Sequence, residues 1–132
     1  MTKPKIAFQG ELGAYSHIAI NEIFKDADIK TCSTFEETFK IAHEDESFKI
    51  VIPLENSLAG RVADIHYLLP KYKLQIHGEH FQVVEHNLIS KLDAEMKDIK
   101  FVRSHAQAIG QCQKIIMEKG YKTIISADTA GS

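Results

Sequence analysis

Glu55, Asn56 and Ser57 follow directly on an apolar, β-branched run, Ile50, Val51 and Ile52, and on Pro53, which has no N–H to give a neighbouring strand. Downstream, Leu58, Val62, Ile65 and Leu69 recur at the spacing of one helix face, with Pro70 as its stop. The pattern predicts three polar side chains where a buried strand hands over to a helix N-terminus. Free backbone N–H groups and the positive end of the helix dipole favour an anion at such a place. A single junction of this kind is better explained by Asn56 or Ser57 merely capping the helix. The chain repeats it, however, at Gly13–Ser16, at Ser104–Gln107 and at Asp128–Ser132. Facing helix starts across a cleft would bind a small molecule with carboxylates at two ends, using amides, hydroxyls and N–H groups as donors. The clustered Lys and Arg that a polyphosphate calls for are missing. Arg61 and Arg103 are the only arginines, and either could pair a carboxylate.

Other side chains offer weaker chemistry. Ser104 reads first as an N-cap and second as a ligand contact. His105, at a helix start, could donate a proton or simply be exposed. Gln107 and Gln111 lie one helical turn apart on one face, which suits amide contacts with a polar ligand or plain solvation. Cys112 falls on the apolar stripe and reads as a small buried hydrophobe. His43-Glu44-Asp45-Glu46 reads as a solvated charge run at a helix end. His77, His80 and His86 invite a metal, but an extended chain puts His77 and His80 on opposite faces, and no Cys or carboxylate completes a tetrahedral set. No metal is therefore expected, nor a Ser-His-Asp or Cys-His nucleophile.

The elements that must position these groups begin with a strand at Lys5–Gln9. The loop Gly10-Glu11-Leu12-Gly13-Ala14-Tyr15-Ser16 follows, then a helix with Tyr15, Ile18, Ala19 and Ile23 on one face. Two glycines let the backbone approach a ligand, although the lysine and Ser/Thr of a nucleotide loop are missing. A second strand, Ile29–Cys32, leads to a helix capped by Ser33 or Thr34, with Phe35, Thr38, Phe39 and Ala42 inward and Glu36 and Glu37 in its first turn. Lys49–Pro53 is the third strand. The order β-α-β-α-β-α predicts a parallel sheet covered by helices, with its ligand site off the carboxyl ends of the strands. Gly10–Ser16, Ser33-Thr34 and Glu55–Gly60 then share one rim.

Beyond residue 75 the pattern changes. Leu74–His77 and Glu79–Ile89 look strand-like and suggest a crossover from a first lobe, 1–75, into a second, 76–132. Ile99–Arg103 is a fresh strand, followed by a helix with Ala108, Ile109, Cys112, Ile115 and Ile116 inward and Gly120 as its stop. Gly110 inside that helix costs roughly 1 kcal/mol relative to Ala, which suggests a close approach by ligand or backbone. Lys122–Ser126 is a further strand, and Asp128–Ser132 should open the next helix. The second lobe is thus expected to be incomplete.

Composition sets the remaining bounds. Over 132 residues, 44% are hydrophobic, 26% are charged and the formal charge is −2, ordinary values that argue against a nucleic-acid face. Cys32 and Cys112 are too few for a disulfide framework, so the compartment is expected to be reducing. The N-terminal run is too short for a secretory segment and no stretch reaches the length of a membrane span. The expectation is a cytoplasmic protein without membrane contact.

Taken together, Gly10-Glu-Leu-Gly-Ala-Tyr-Ser, Glu55-Asn-Ser-Leu-Ala-Gly, Gly78-Glu79 with His86-Asn-Leu, Ser104-His-Ala-Gln-Ala-Ile-Gly-Gln-Cys112 and Asp128-Thr-Ala-Gly resemble, in order and spacing, the catalytic domain of prephenate dehydratase. The resemblance runs from Ile6 to the end. It implies an α/β, two-lobed fold of periplasmic-binding-protein type (type II). It also implies cofactor-free conversion of prephenate to phenylpyruvate, water and carbon dioxide in L-phenylalanine biosynthesis, and homo-oligomers in the full-length family. Asn56, Ser57, Ser104, His105, Gln107, Gln111 and Thr129 are then the implied substrate-binding residues, with Gly60, Ala130 and Gly131 admitting the ligand to backbone N–H groups. Glu11 stands where the family usually has proline, and Ala14 where it usually has threonine. The family's Thr-Arg-Phe motif, whose threonine is taken as the catalytic acid, is expected beyond Ser132, so no catalytic residue is expected within this chain. The phenylalanine-sensing regulatory domain is not expected in it either. The isolated chain is expected to be weakly active or inactive. Two other readings fit the same motifs: a non-catalytic module for an aromatic or cyclohexadienyl dicarboxylate, and an arogenate dehydratase.

Overall fold

The computed structural model describes residues 2–132, and the chain divides into two compact units, Met1–Gln82 and Val83–Ser132. Residues 76–82 thus group with the first unit, past the boundary expected at 75/76. His80 Nε2 lies 2.9 Å from Glu22 Oε2 within that unit.

The first unit is built on β1 (Lys5–Gln9), flanked in a parallel sheet by β2 (Asp28–Cys32) and β3 (Phe48–Ile50) in the order β2-β1-β3. Ile6, Ala7 and Phe8 are wholly buried, as a central parallel strand covered on both faces requires. Ile6 and Phe8 pack on Ile20 of α1 (Tyr15–Ile23), with Phe24, Ala27 and Val51 around them. A second cluster joins Phe39 of α2 (Phe35–Glu44) to Ile65 and Leu68 of α3 (Ala63–Tyr72), with Ile50, Ile52, Val62 and Leu69 against it. The face of α1 differs from expectation at Ile18, Ile20 and Ile23. Ala19 and Ile20 are buried while Ile18 and Ile23 are exposed, because Ile20 is the side chain that reaches β1. In α2 the cap is Thr34: its Oγ1 accepts from the Glu37 N–H at 3.1 Å, and Glu37 Oε2 accepts from the Ser33 N–H at 2.8 Å.

The stretch after β3 corrects the sequence reading most. Instead of passing from strand to helix at Glu55–Leu58, the chain makes a small antiparallel hairpin, β4 (Glu55–Asn56) with β5 (Gly60–Arg61). Leu58 sits at its tip, 78% exposed, and the Val62 N–H closes the hairpin by donating to Leu54 O at 3.0 Å. Gly60 has φ +81°, a conformation that a side chain disfavours. Pro70 does not stop α3. It lies within the last turn, and the helix ends at Lys73, which adopts φ +53°.

The second unit contains a short 3-10 turn (Met96–Asp98), β6 (Phe101–Ser104), α4 (Ala106–Gln111), α5 (Gln113–Lys119) and β7 (Lys122–Ile125). β6 and β7 pair in parallel, Ser104 opposite Ile125, so both strands end at the same edge. The single helix expected here is two. Cys112, at φ −99° and ψ 10°, interrupts it, which keeps Ala108, Ile109 and Ile116 inward and leaves Ile115 exposed. Gly120 ends α5 at φ +68°, as expected. Residues 74–77 and 79–89, expected to be strand-like, run without ladder pairing. Asp128–Ser132 forms a turn in which Asp128 Oδ1 accepts from the Gly131 N–H, the contact that an N-cap makes. Phe101 and Ile125 are 56% and 59% exposed on this small sheet. No helix among the described residues is long and apolar enough to cross a membrane.

A polar clasp ties α2 to α3. The Lys71 ammonium and the Tyr72 hydroxyl both donate to Glu36 Oε1, the latter at 3.0 Å. The Lys71 bond above all, then that of Tyr72, holds the Glu36 carboxyl below the usual carboxylate range. A lowered folded pKa gives stability that is complete above the unfolded value, about 4.3, and is lost as pH falls through the folded one. Lys71 is shifted upward and would lose its share only in strong alkali. Glu36→Gln should therefore lower stability at pH 7, and the gap to the parent chain should close on acidification below about pH 4. Urea midpoints across that range check this; a gap that stays constant with pH would contradict it.

Candidate functional site

At the carboxyl end of β1, Gly10 and Gly13 adopt φ +123° and +93°, which fixes glycine at both positions. The Gly13 N–H donates to His17 Nδ1 at 2.8 Å, and the His17 ring stacks on Phe8 with centroids 6.1 Å apart. His17 thus pins the loop to the core, a role the sequence reading missed although the residue stands one helical turn beyond Gly13. Ala14 is the N-cap of α1 and, having no hydroxyl, makes no side-chain cap.

In the hairpin, Asn56 Oδ1 accepts from the N–H groups of Leu58 (2.9 Å) and Ala59 (3.0 Å). The acceptor end of that amide is consumed by the turn, so what Asn56 can offer a ligand is its NH2 group. Asn56 is half-buried, and Ser57 and Gly60 beside it are exposed. These three are brought together, but at a turn and not at a helix start. Ser33 and Thr34, expected on the same rim, take part in capping α2, Ser33 through its backbone N–H and Thr34 through its hydroxyl. The neighbouring groove, about 520 Å³, is lined by Gln9, Ser33, Thr34, Phe35, Glu36, Asp64, Tyr67 and Leu68. It holds none of the expected ligand residues, and its carboxylates, Glu36 and Asp64, have the wrong sign for a dianion.

In the second unit, the shared edge of β6 and β7 gathers the remaining candidates. The Ser126 N–H donates to Ser104 O at 2.9 Å, which binds the two strand ends together. Ser104 is the last residue of β6 and does not cap α4. His105 does, its Nδ1 accepting from the Gln107 N–H at 3.2 Å, so the neutral ring carries its proton on Nε2. Gln107 and Gln111 are exposed, and His86 Nε2 lies 2.7 Å from Gln111 Oε1. A Cβ built on Gly110 meets no protein atom within 4 Å, so the backbone approach expected there is not present. At the end of β7, Thr129 and Ala130 are exposed. The Gly131 N–H, expected to face a ligand, is engaged by Asp128 Oδ1, and a Cβ at 131 would come within 2.8 Å of that oxygen.

The remaining chemical groups are quiet. Burial pushes the Cys32 thiol up, away from the thiolate a nucleophile needs. Among the described residues, no group of three or more His, Cys, Asp or Glu side chains is placed to hold a metal ion.

Parallel strands flanked by helices, with polar loops collected at the strand ends, define an α/β protein. Comparison with known proteins narrows the class: the prephenate dehydratase model matches residues 6–132, and the chain belongs to that family. It is 41% identical over 127 residues to a bifunctional N-acyl-homoserine lactone acylase/prephenate dehydratase of Komagataeibacter europaeus, spanning 96% of this chain and 45% of that protein. It is 35% identical over 129 residues to arogenate dehydratase/prephenate dehydratase 1 of Arabidopsis thaliana, spanning 98% of this chain and 33% of the other. Among solved structures, the prephenate dehydratase of Staphylococcus aureus superposes with a TM-score of 0.80 at 25% identity, over 92% of this chain and 47% of that one. The chain therefore spans less than half the length of these relatives.

Since Gly110 is helical and its missing Cβ faces open space, Gly110→Ala should raise stability by up to about 1 kcal/mol. Chemical denaturation measures it, and a destabilised variant would show that the position is sterically restricted after all.

Proposed function

We propose that the chain carries substrate-binding residues of a prephenate dehydratase catalytic domain of two-lobed, periplasmic-binding-protein type. The residues proposed to meet prephenate are Asn56, Ser57 and Gly60 in the first unit, and Ser104, His105, Gln107, Gln111, Thr129, Ala130 and Gly131 in the second. The observation that carries this reading is the Asn56 amide. Its oxygen is held by two backbone N–H groups, which leaves a donor for a carboxylate at the exposed hairpin. Prephenate has two carboxylates and a ring hydroxyl. A general acid protonates the hydroxyl as it departs as water, the ring carboxylate leaves as carbon dioxide, and the electron pair of the broken C–C bond completes the aromatic ring. Fixed donors on the carboxylates and one placed acid suffice for this, so the reading requires no cofactor. The sequence holds no Thr-Arg-Phe triplet, and no residue present is assigned as the acid. The free thiols of Cys32 and Cys112 suit a reducing, cytoplasmic setting.

Arogenate dehydration is the second reading, favoured by relatives whose names carry both activities. Arogenate differs from prephenate in bearing an amino acid where prephenate bears a keto acid, so competition between the two decides the preference.

Calorimetry with prephenate tests the proposal, with arogenate as competitor and an N-acyl-homoserine lactone as a control suggested by the Komagataeibacter relative. Asn56→Asp keeps the oxygen that the turn needs and replaces the donor with a negative charge. It should weaken prephenate binding at least tenfold, about 1.4 kcal/mol, with little change in Tm. Unchanged binding would remove Asn56 from the site. The purified 132-residue chain should turn prephenate over weakly or not at all. Binding without turnover would fit the module reading as well, whereas turnover at an ordinary enzymatic rate would refute the expectation of weak activity.

A further inference from the structure

His86 lies in an extended stretch without regular structure, 25 residues before Gln111 at the end of α4, and its Nε2 is 2.7 Å from Gln111 Oε1. An amide oxygen only accepts, so the proton of this bond belongs to His86 Nε2. Gln111 is exposed, and an exposed glutamine is ambiguous: half a turn about its last torsion exchanges a donor for an acceptor at little intrinsic cost. A ligand carboxylate that met the carbonyl end would face an acceptor and be repelled.

We propose that His86 is a positioning residue for the anion site, acting through Gln111. By holding Oε1 it turns the Gln111 NH2 group outward as a fixed donor for a ligand carboxylate. The inference rests on the reading of Gln111 as a prephenate contact. The logic is that of Asn56, where backbone N–H groups hold the oxygen; here a side chain from a distant stretch does so. Fixing the amide before binding removes the cost of selecting one of two poses when the ligand arrives. It also gives His86 of the His86-Asn-Leu motif a function without direct contact with the substrate.

The test uses the full chain, prephenate titrated calorimetrically, and side-chain NMR. His86→Phe keeps a ring and removes the donor; His86→Gln places an amide NH2 near the former Nε2. His86→Phe should weaken binding about tenfold, roughly 1.4 kcal/mol, and His86→Gln should recover most of it. The double variant His86→Phe/Gln111→Leu should bind no worse than Gln111→Leu alone. A merely structural role predicts additive losses, a fall in Tm and no rescue by glutamine, and would overturn the proposal, as would unaltered binding in His86→Phe. Without ligand, His86 should show a protonated Nε2, and the Gln111 NH2 resonances should move in His86→Phe but stay in His86→Gln. If the parent chain does not bind prephenate, the functional reading falls, and the NMR arm still decides the orientation. A ring protonated only on Nδ1 would reverse the amide and overturn it.

Discussion

An amide side chain has a donor end and an acceptor end, and an anion site built from amides works only if something else holds the acceptors. In this chain two amide carbonyls are held by other groups. Asn56 Oδ1 is taken by the N–H groups of Leu58 and Ala59, and the same contacts shape the turn that joins β4 to β5. The hairpin in turn sets where α3 begins, through the bond from Val62 N–H to Leu54 O. Gln111 is treated likewise, with His86 in place of the backbone. Local folding and the functional reading therefore depend on the same few hydrogen bonds.

Those bonds are useful only on a rigid support. In the first unit the support is β1, buried on both faces, with α1 on one side and the Phe39–Ile65–Leu68 cluster on the other. Phe8 serves twice, packing on Ile20 and giving His17 a surface to stack on while it holds the Gly13 loop. In the second unit the support is smaller: a pair of parallel strands whose carboxyl ends are joined by the Ser126–Ser104 bond. Parallel strands are normally covered on both faces, and exposed Phe101 and Ile125 show how thinly this pair is clothed within the chain.

What the sequence disclosed follows from the range of the interactions involved. The strand β1, the inward face of α2 and the glycine at 120 are set by neighbours within a few residues, and each was legible. The hairpin was not. Leu58 happens to fall one turn before Val62, so a helical period was read through a segment whose turn is dictated by the Asn56 side chain. Ser104 looked like the cap because serine is a common one, but His105 Nδ1 reaches the Gln107 N–H. The break at Cys112 and the absence of ladder pairing from 74 to 89 are tertiary outcomes that periodicity does not report. Of the candidate ligands, Asn56, Ser57 and Gly60 share one hairpin, and Ser104 ends β6 beside Ser126, three residues before Thr129. The N–H of Gly131, however, is already engaged. His17 and His86 stood in plain view, but the partner of His86 lies 25 residues away and only the fold reveals it.

Membership of the prephenate dehydratase family makes prephenate the ligand with which the proposed contacts are tested. The most direct measurement is a titration of prephenate into the isotope-labelled chain, following the side-chain NH2 resonances of Asn56 and Gln111. If a captured carbonyl leaves a fixed donor for a carboxylate, the Asn56 pair and the Gln111 pair should each move saturably as prephenate is added. Saturable binding that leaves both pairs unmoved would contradict the account.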